Sequence, residues 1–231
     1  MAGGRRPRLA DRHRARDERP QAAQDPPLLT PEEITRHHDD DPPPGAPSPW
    51  LPGHEQWRSP LTITDPDERW ADNYALVAAT AERALGDRVL EIHHVGSTSV
   101  PGLPAKPVID MDLVVADPTD EASYVPDLVA AGFHHTIREP WWHEHRLLKF
   151  RSPFTHLHVF GPDCPEVVRH TMFRDWLLSH DDDRELYVAT KRAAAVATTR
   201  AGGTGMNYNR VKEPVVRAIY GRMFRAHGLL D

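Results

Sequence analysis

The densest run of residues able to do chemistry lies between His94 and Asp112. An apolar run ends in Gly96-Ser97, Thr98 and Ser99 follow, and a second apolar run over 108–115 is broken only by Asp110 and Asp112. Gly96 permits a sharp backbone bend at which an anion can approach main-chain amides. Ser97, Thr98 and Ser99 add hydroxyl donors to the same pocket. Two residues apart on a strand, the Asp110 and Asp112 carboxylates project from one face, while Ile109, Met111, Leu113 and Val115 point into a core. Adjacent carboxylates repel each other and resist burial, and a divalent cation (Mg²⁺ or Mn²⁺) bridging them to a phosphate chain resolves both costs. This is the arrangement needed for phosphoryl or nucleotidyl transfer from a nucleoside triphosphate, in which positioning and charge leave little covalent work for side chains. Lys106, just after the loop, is placed to neutralise phosphate charge. The competing explanation is an ordinary Gly-Ser turn, two strand-edge acids at a solvent face and a solvated lysine.

Other chemistries find less support. The loop lacks Gly-x-x-x-x-Gly-Lys-Ser/Thr, and no Gly-x-Ser-x-Gly elbow is present. Cys164 has no Cys-x-x-Cys partner, which argues against a nucleophilic role. His143-Glu144-His145 has the look of a metal fragment but no further ligands at a recognised spacing. Trp141 and Trp142 fit a hairpin that plugs its own core better than a base-stacking platform.

Elements to carry these residues can be read from periodicity. Residues 68–85 follow a helical repeat ending at Gly86, and residues 89–95 and 108–115 read as strands. A helix over 121–131, strands over 133–137, 146–151 and 155–160, and helices over 166–180, 184–199 and 209–227 complete the pattern. Gly202-Gly203-Thr204-Gly205 reads as a flexible connection between the last two helices. The order predicts an α/β (α+β) fold, a mixed sheet with flanking helices and a C-terminal helical layer, over residues 59–228. Residues 1–58 differ in composition. Twelve of the 23 prolines fall within the first 60 residues, which hold nine Lys/Arg and ten Asp/Glu. Such a stretch buries little and is expected to be a disordered tail. One short helix is expected within it, where Thr30 is an N-cap, Pro31 its first residue and Glu32-Glu33 its acidic first turn.

The net charge of −6 argues against general nucleic-acid binding. A single cysteine, no apolar run of membrane-spanning length and no secretory signal suggest a cytoplasmic protein.

The segment from His94 to Asp112 resembles the GrpB family, whose signature is a His-hydrophobic-Gly-Ser-Thr-Ser-Val-Pro-Gly-Leu-x-x-Lys-Pro stretch leading to an aspartate-bearing strand. Further matches are Thr155-His156-Leu157-His158-Val159, Phe173-Arg174-Asp175-Trp176-Leu177, and Tyr208 with Lys212. The resemblance implies a fold like that of the polymerase-β-like nucleotidyltransferases and, less directly, their chemistry. It also implies cleft positions for Arg174 and Lys212 in nucleotide binding. Catalytic members of that superfamily carry a third carboxylate on a later strand. The matching strand here offers His156 and His158 instead, which would complete a metal site or act as base. Neutral imidazole suits Mn²⁺ or Zn²⁺ better than Mg²⁺. Some GrpB domains are fused to dephospho-CoA kinase, so the resemblance admits a second reading: a non-catalytic nucleotide-binding or folding-accessory domain for a partner enzyme.

Overall fold

A computed structural model of the chain describes residues 29–37, 42–55 and 60–231. Five strands, β1 (Glu91–Val95), β2 (Ile109–Val114), β3 (His134–Glu139), β4 (His145–Phe150) and β5 (Thr155–Phe160), form one sheet in the order β1-β2-β5-β4-β3. Only β2 and β5 run parallel; the other neighbours are antiparallel. The mixed α/β architecture expected from the sequence is the one observed.

The alternation of β2 divides the sheet into two unlike faces. Ile109, Met111 and Leu113, with Leu157, Val159 and Leu148 of the neighbouring strands, pack against α2 (Arg69–Leu85) and α3 (Val125–Ala130). Within α2, Trp70, Val77, Ala78, Ala81 and Leu85 recur at helical spacing and form the buried stripe. The opposite face carries Asp110, Asp112, His156 and His158. Parallel register sets Asp110 beside His156 and Asp112 beside His158.

A layer of three helices covers that polar face: α4 (Pro165–Ser179), α5 (Asp181–Arg200) and α6 (Gly205–Ala226). Their own core contains Trp176, Leu177, Tyr187, Ile219, Met223 and Phe224, and Val100 and Leu103 of the 96–107 loop are buried in it. The loop after β1 therefore joins the sheet to the helical layer. Among the described residues, no helix is long and apolar enough to cross a membrane.

Two expectations at helix ends are corrected. Thr204 and Gly205 are not part of a flexible link, because Thr204 caps α6 reciprocally with Asn207. The α5 helix runs ahead of the periodic stretch at 184–199: Asp181-Asp182-Asp183, expected to begin the helix and supply its N-cap, form its first turn, and the N-cap is His180. Asp183 in its first turn is buried, accepting from Trp176 Nε1 at 2.8 Å and pairing with Arg222. Tertiary partners, absent from any local pattern, draw that acid into the helix.

The segment expected to be a tail is structured where it is described. The α1 helix (Pro31–Thr35) has the expected Thr30–Glu33 capping box. Its Ile34 packs into the helical core, its Ile34 carbonyl accepts from Arg169 Nη1 at 3.0 Å, and Arg36 O is a second acceptor for the same guanidinium. His37 lies against the Tyr220 and Phe224 rings. Further along, Trp50 bridges to Ile137, and Leu51 N donates to Thr136 O at 3.1 Å, which covers the open edge of β3. Composition missed this docking because a handful of anchors suffices for it: one apolar side chain, a few main-chain bonds and one buried arginine. The disorder expected of residues 1–28 lies outside the described residues.

Removing residues 1–57 strips Arg169 of two carbonyl acceptors and uncovers the β3 edge. The loss is about 2 kcal/mol, since hydrogen bonds to charged groups contribute ~1.5–3 kcal/mol. Thermal melting of the truncated protein is expected to fall by roughly 5 °C. An unchanged melting temperature would show that the docked segment contributes nothing to stability.

Candidate functional site

The site is built around the bend at residue 96. Gly96 has φ 69° and ψ −169°, a conformation that side chains rarely adopt. A Cβ there would stand 2.6 Å from Asp110 Oδ2 and 2.9 Å from Asp110 Cβ. Glycine is thus required twice, for its backbone angles and because the β2 carboxylate sits against its Cα. After it, Ser97–Ser99 form a single 3-10 turn.

The three hydroxyls expected to face a ligand have different fates. Thr98 is buried and donates to Val108 O at 3.1 Å, so it accepts from His94 Nε2, also at 3.1 Å. Ser99 donates to Gly96 O at 2.6 Å. Both are committed to holding the loop's shape. Ser97 faces the helical layer: its Oγ accepts from Lys191 Nζ at 3.0 Å and lies 3.3 Å from the Tyr187 hydroxyl.

The two acids also part company. Asp110 is one-third exposed, with Oδ1 at 3.4 Å from His156 Nδ1. Burial alone would raise its carboxyl, but the neighbouring His156, reinforced by Lys106, holds it down at about 2. Asp110, His156 and His158 each offer a ligand atom within 4.8 Å of one another. Asp112, by contrast, is fully buried, and its Oδ2 pairs with His170 Nδ1 of α4 at 2.8 Å. Burial disfavours the His170 imidazolium, yet Asp112 and Glu166 overcome this and raise it to about 9. Within the fold, Asp112 therefore has His170 as its counterion. Its Oδ1 is buried without a hydrogen-bond partner.

His158 is held from behind. Its Nδ1 lies 2.9 Å from His145 Nε2, and His145 Nδ1 lies 2.7 Å from Glu139 Oε2. Burial pushes both imidazoles down to about 3 and Glu139 up to about 7. The His145 contacts are thus hydrogen bonds of a neutral ring, not an ion pair. With Glu139 ionised, the chain Glu139–His145–His158 places a proton on each Nδ1 and leaves His158 Nε2 bare, the arrangement that orients a metal-ligating histidine. One carboxylate and two imidazoles form a donor set that fits Mn²⁺ or Zn²⁺ better than Mg²⁺, whose ligands are oxygen.

Positive charge lies on the other side of Ser97. Lys106 and Lys212 stand over the Tyr208 ring at 4.6 and 5.4 Å, and Lys191 is buried beside Ser97. Arg174 Nη1 donates to His94 O at 3.2 Å, at the end of the strand leading into the loop. Of the residues singled out in the sequence, Asp110, His156 and His158 come together, Gly96 is seated against Asp110, Ser97 meets α5, and Lys106 and Lys212 share the Tyr208 ring. Thr98 and Ser99 hold the bend from within, and Asp112 is buried under α4.

His170, Lys191, Tyr187 and Glu139 were not singled out in the sequence, and His145 was weighed there only within the His143-Glu144-His145 fragment. A signal existed for two of them. Lys191 stands four after Tyr187 and three before Ala194, inside the apolar stripe of α5. His170 similarly lies between Val167 and Leu177 on the inward face of α4. A basic residue in a buried stripe needs a buried partner.

The GrpB protein family model matches residues 60–222. The chain belongs to the GrpB family. It is 45% identical over 135 residues to a UPF0157 protein of Halalkalibacterium halodurans, covering 58% of this chain and 69% of the relative. It is also 31% identical over 192 residues to a dephospho-CoA kinase of Mycolicibacterium paratuberculosis, covering 71% of this chain and 46% of that one. The crystal structure of conserved protein GrpB from Enterococcus faecalis superposes with a TM-score of 0.63 at 22% identity, over 72% of this chain and 99% of the other. That likeness is one of fold.

Because the folded value of His170 lies above its ordinary 6.5, its pairing with Asp112 contributes fully below about 6.5 and is lost as pH rises through about 9. Melting temperature is expected to fall between pH 7 and 9.5. His170→Gln should melt lower at pH 7 and lose less across that window. Scanning fluorimetry at graded pH checks both, and identical alkaline slopes would contradict the charged pair.

Proposed function

We propose that this GrpB-family domain binds a nucleoside triphosphate together with a divalent cation and transfers its nucleotidyl group to a small-molecule or protein acceptor. The observation carrying this reading is the convergence of Asp110, His156 and His158 on one sheet face, with the Gly96-Ser97 bend seated against Asp110. The acceptor oxygen or nitrogen forms a bond to the α-phosphorus as the bond to the bridging oxygen breaks, and pyrophosphate leaves.

Each role follows from position. The amides and hydroxyl around Gly96 and Ser97 hold phosphate oxygens, as bends of this kind do. Lys106 and Lys212 offset the charge of the chain. Asp110, His156 and His158 would hold the cation, with Mn²⁺ suiting them better than Mg²⁺; bound there, it would neutralise phosphate charge and polarise the reacting centre. Asp112 supports the site from beneath through His170. Arg174 steadies the strand end from which the loop departs.

A second reading has a specific observation behind it. Relatives named dephospho-CoA kinase match this chain over less than half of their length, so a domain like this one exists beside other sequence in those proteins. On that reading the domain binds nucleotide or steadies a partner enzyme without turnover.

Titration calorimetry of the full-length protein with ATP, GTP, CTP and UTP, with Mn²⁺ or Mg²⁺, tests binding. Pyrophosphate release in the presence of a metabolite extract then separates enzyme from binder. Asp110→Asn and His158→Ala are each expected to weaken Mn²⁺-dependent nucleotide binding by at least tenfold while melting stays near the parent value. Nucleotide binding with unchanged metal dependence in both variants would overturn the assignment. Binding without pyrophosphate release from any nucleotide would favour the accessory reading.

A further inference from the structure

Three lysines from three separate elements gather on this side of the fold: Lys191 meets Ser97, while Lys106 and Lys212 meet the ring of Tyr208, which packs with Ala194 and Ala195, about one turn along α5 from Lys191. Lys106 comes from the loop after β1, Lys191 from α5 and Lys212 from α6. Lys191 is 2% exposed, donates to Ser97 Oγ at 3.0 Å and to Pro104 O at 2.6 Å, and stands 4.5 Å from the centre of the Tyr187 ring. Lys106 and Lys212 share the Tyr208 ring. Among the described residues, none of the three forms an ion pair with a carboxylate. Burial first, then Lys212 and Lys106 in the same sense, together lower Lys191 to about 7; Lys106 in turn is lowered by burial and by Lys212. Sharing one ring brings the Lys106 and Lys212 ammonium groups near enough to repel one another. Asp110 is an acid acting on both Lys106 and Lys191, and it lies beside His156 on the parallel neighbouring strand.

A buried lysine facing two further cations is unfavourable for folding alone. Its hydrogen bonds satisfy the ammonium without neutralising it. They also fix the Ser97 hydroxyl, whose lone pair is taken by Lys191 and whose proton is left to donate to Tyr187 or to a ligand. A compact anion of low charge would face one or two of these groups. A chain of linked phosphates is long enough and charged enough to meet all three while its first phosphate stays at the bend.

We infer that Lys106, Lys191 and Lys212 form a subsite for the terminal phosphates of a polyphosphate chain, with Lys191 setting the Ser97 hydroxyl that receives it. The inference rests on the nucleotide reading above and narrows the ligand to one with at least two linked phosphates. It makes the phosphate chain, not the base, the feature recognised. Lys191 is the buried member, and Lys106 and Lys212 lie against Tyr208.

Calorimetry of the full-length protein with inorganic tripolyphosphate, pyrophosphate and orthophosphate, first in EDTA and then with Mn²⁺, tests the subsite. In EDTA, tripolyphosphate is expected to bind at least tenfold more tightly than orthophosphate. Lys191→Met and Lys212→Met should each weaken tripolyphosphate at least tenfold. Arg83→Met, at an exposed arginine of α2 on the other side of the sheet whose Nη2 donates to Thr80 Oγ1 at 3.1 Å, should stay within twofold of the parent and so control for general loss of charge. Equal affinity for orthophosphate and tripolyphosphate, or lysine variants that bind like the parent, would overturn the subsite. Should Lys191→Met fail to fold, Lys212→Met decides. The outcome is separable from the reading it rests on. Tripolyphosphate binding that needs the lysines, without pyrophosphate release from any nucleotide, sinks transfer and keeps the subsite. Nucleotidyl transfer unaffected by the lysine variants does the reverse.

Discussion

The contact between Gly96 and the Asp110 carboxylate constrains everything around the cleft. A side chain at 96 would collide with the β2 acid, so the bend and the strand approach as closely as backbone allows. The approach fixes where Ser97 stands, and Ser97 meets Lys191 and Tyr187 of α5. Val100 and Leu103, a few residues on, are buried in the core of the helical layer. One turn of chain therefore locks the sheet, its exposed acid and the helices above it into a single geometry. Thr98 and Ser99 spend their hydroxyls on keeping that turn in shape.

Two acids separated by one residue share a sheet face, yet they are neutralised by different means. Asp112 is fully buried, where an unpaired carboxylate would be costly, and the α4 helix supplies His170 as its counterion. Asp110 lies nearer the open side with an imidazole on the parallel neighbour, so it keeps its charge and its access. The same division holds among the histidines. His158 is backed by a hydrogen-bonded chain to Glu139, whereas His170 is charged and engaged. Neighbouring groups of one chemical type thus do different work, set by which element packs against each.

Much of this was legible in the sequence because it depends on local period. The alternation of 108–115 places the acids on one face and the aliphatics on the other, and the GrpB-like signature marks the bend. The strands and most helices lie where periodicity puts them, with shifts of a few residues at their ends. What periodicity cannot convey is which helix lies over which strand. Pairing of Asp112 with His170 joins residues 58 apart, and that of Ser97 with Lys191 joins residues 94 apart. The docking of 29–37 was hidden for a related reason. Its composition is poor in apolar residues, and the stabilising contacts come from Arg169 and the Tyr220–Phe224 surface, far along the chain.

The buried Arg169 shows how far such long-range pairing extends. Its guanidinium joins the carbonyls of the α1 segment to Glu166, and Glu166 also receives Trp142 Nε1 and lies 3.8 Å from His170 Nε2. Through His170 the network reaches Asp112 on the sheet. A segment near the beginning of the chain, the β3–β4 hairpin and strand β2 are thereby tied to one helix, α4, by charged and polar groups in addition to apolar packing. Polar links of this kind are directional, and each leaves a costly orphan if its partner shifts. They hold α4 at one height above the sheet more strictly than a greasy interface would, and α4 at that height is what keeps His170 on Asp112 and leaves Asp110 free for the cleft.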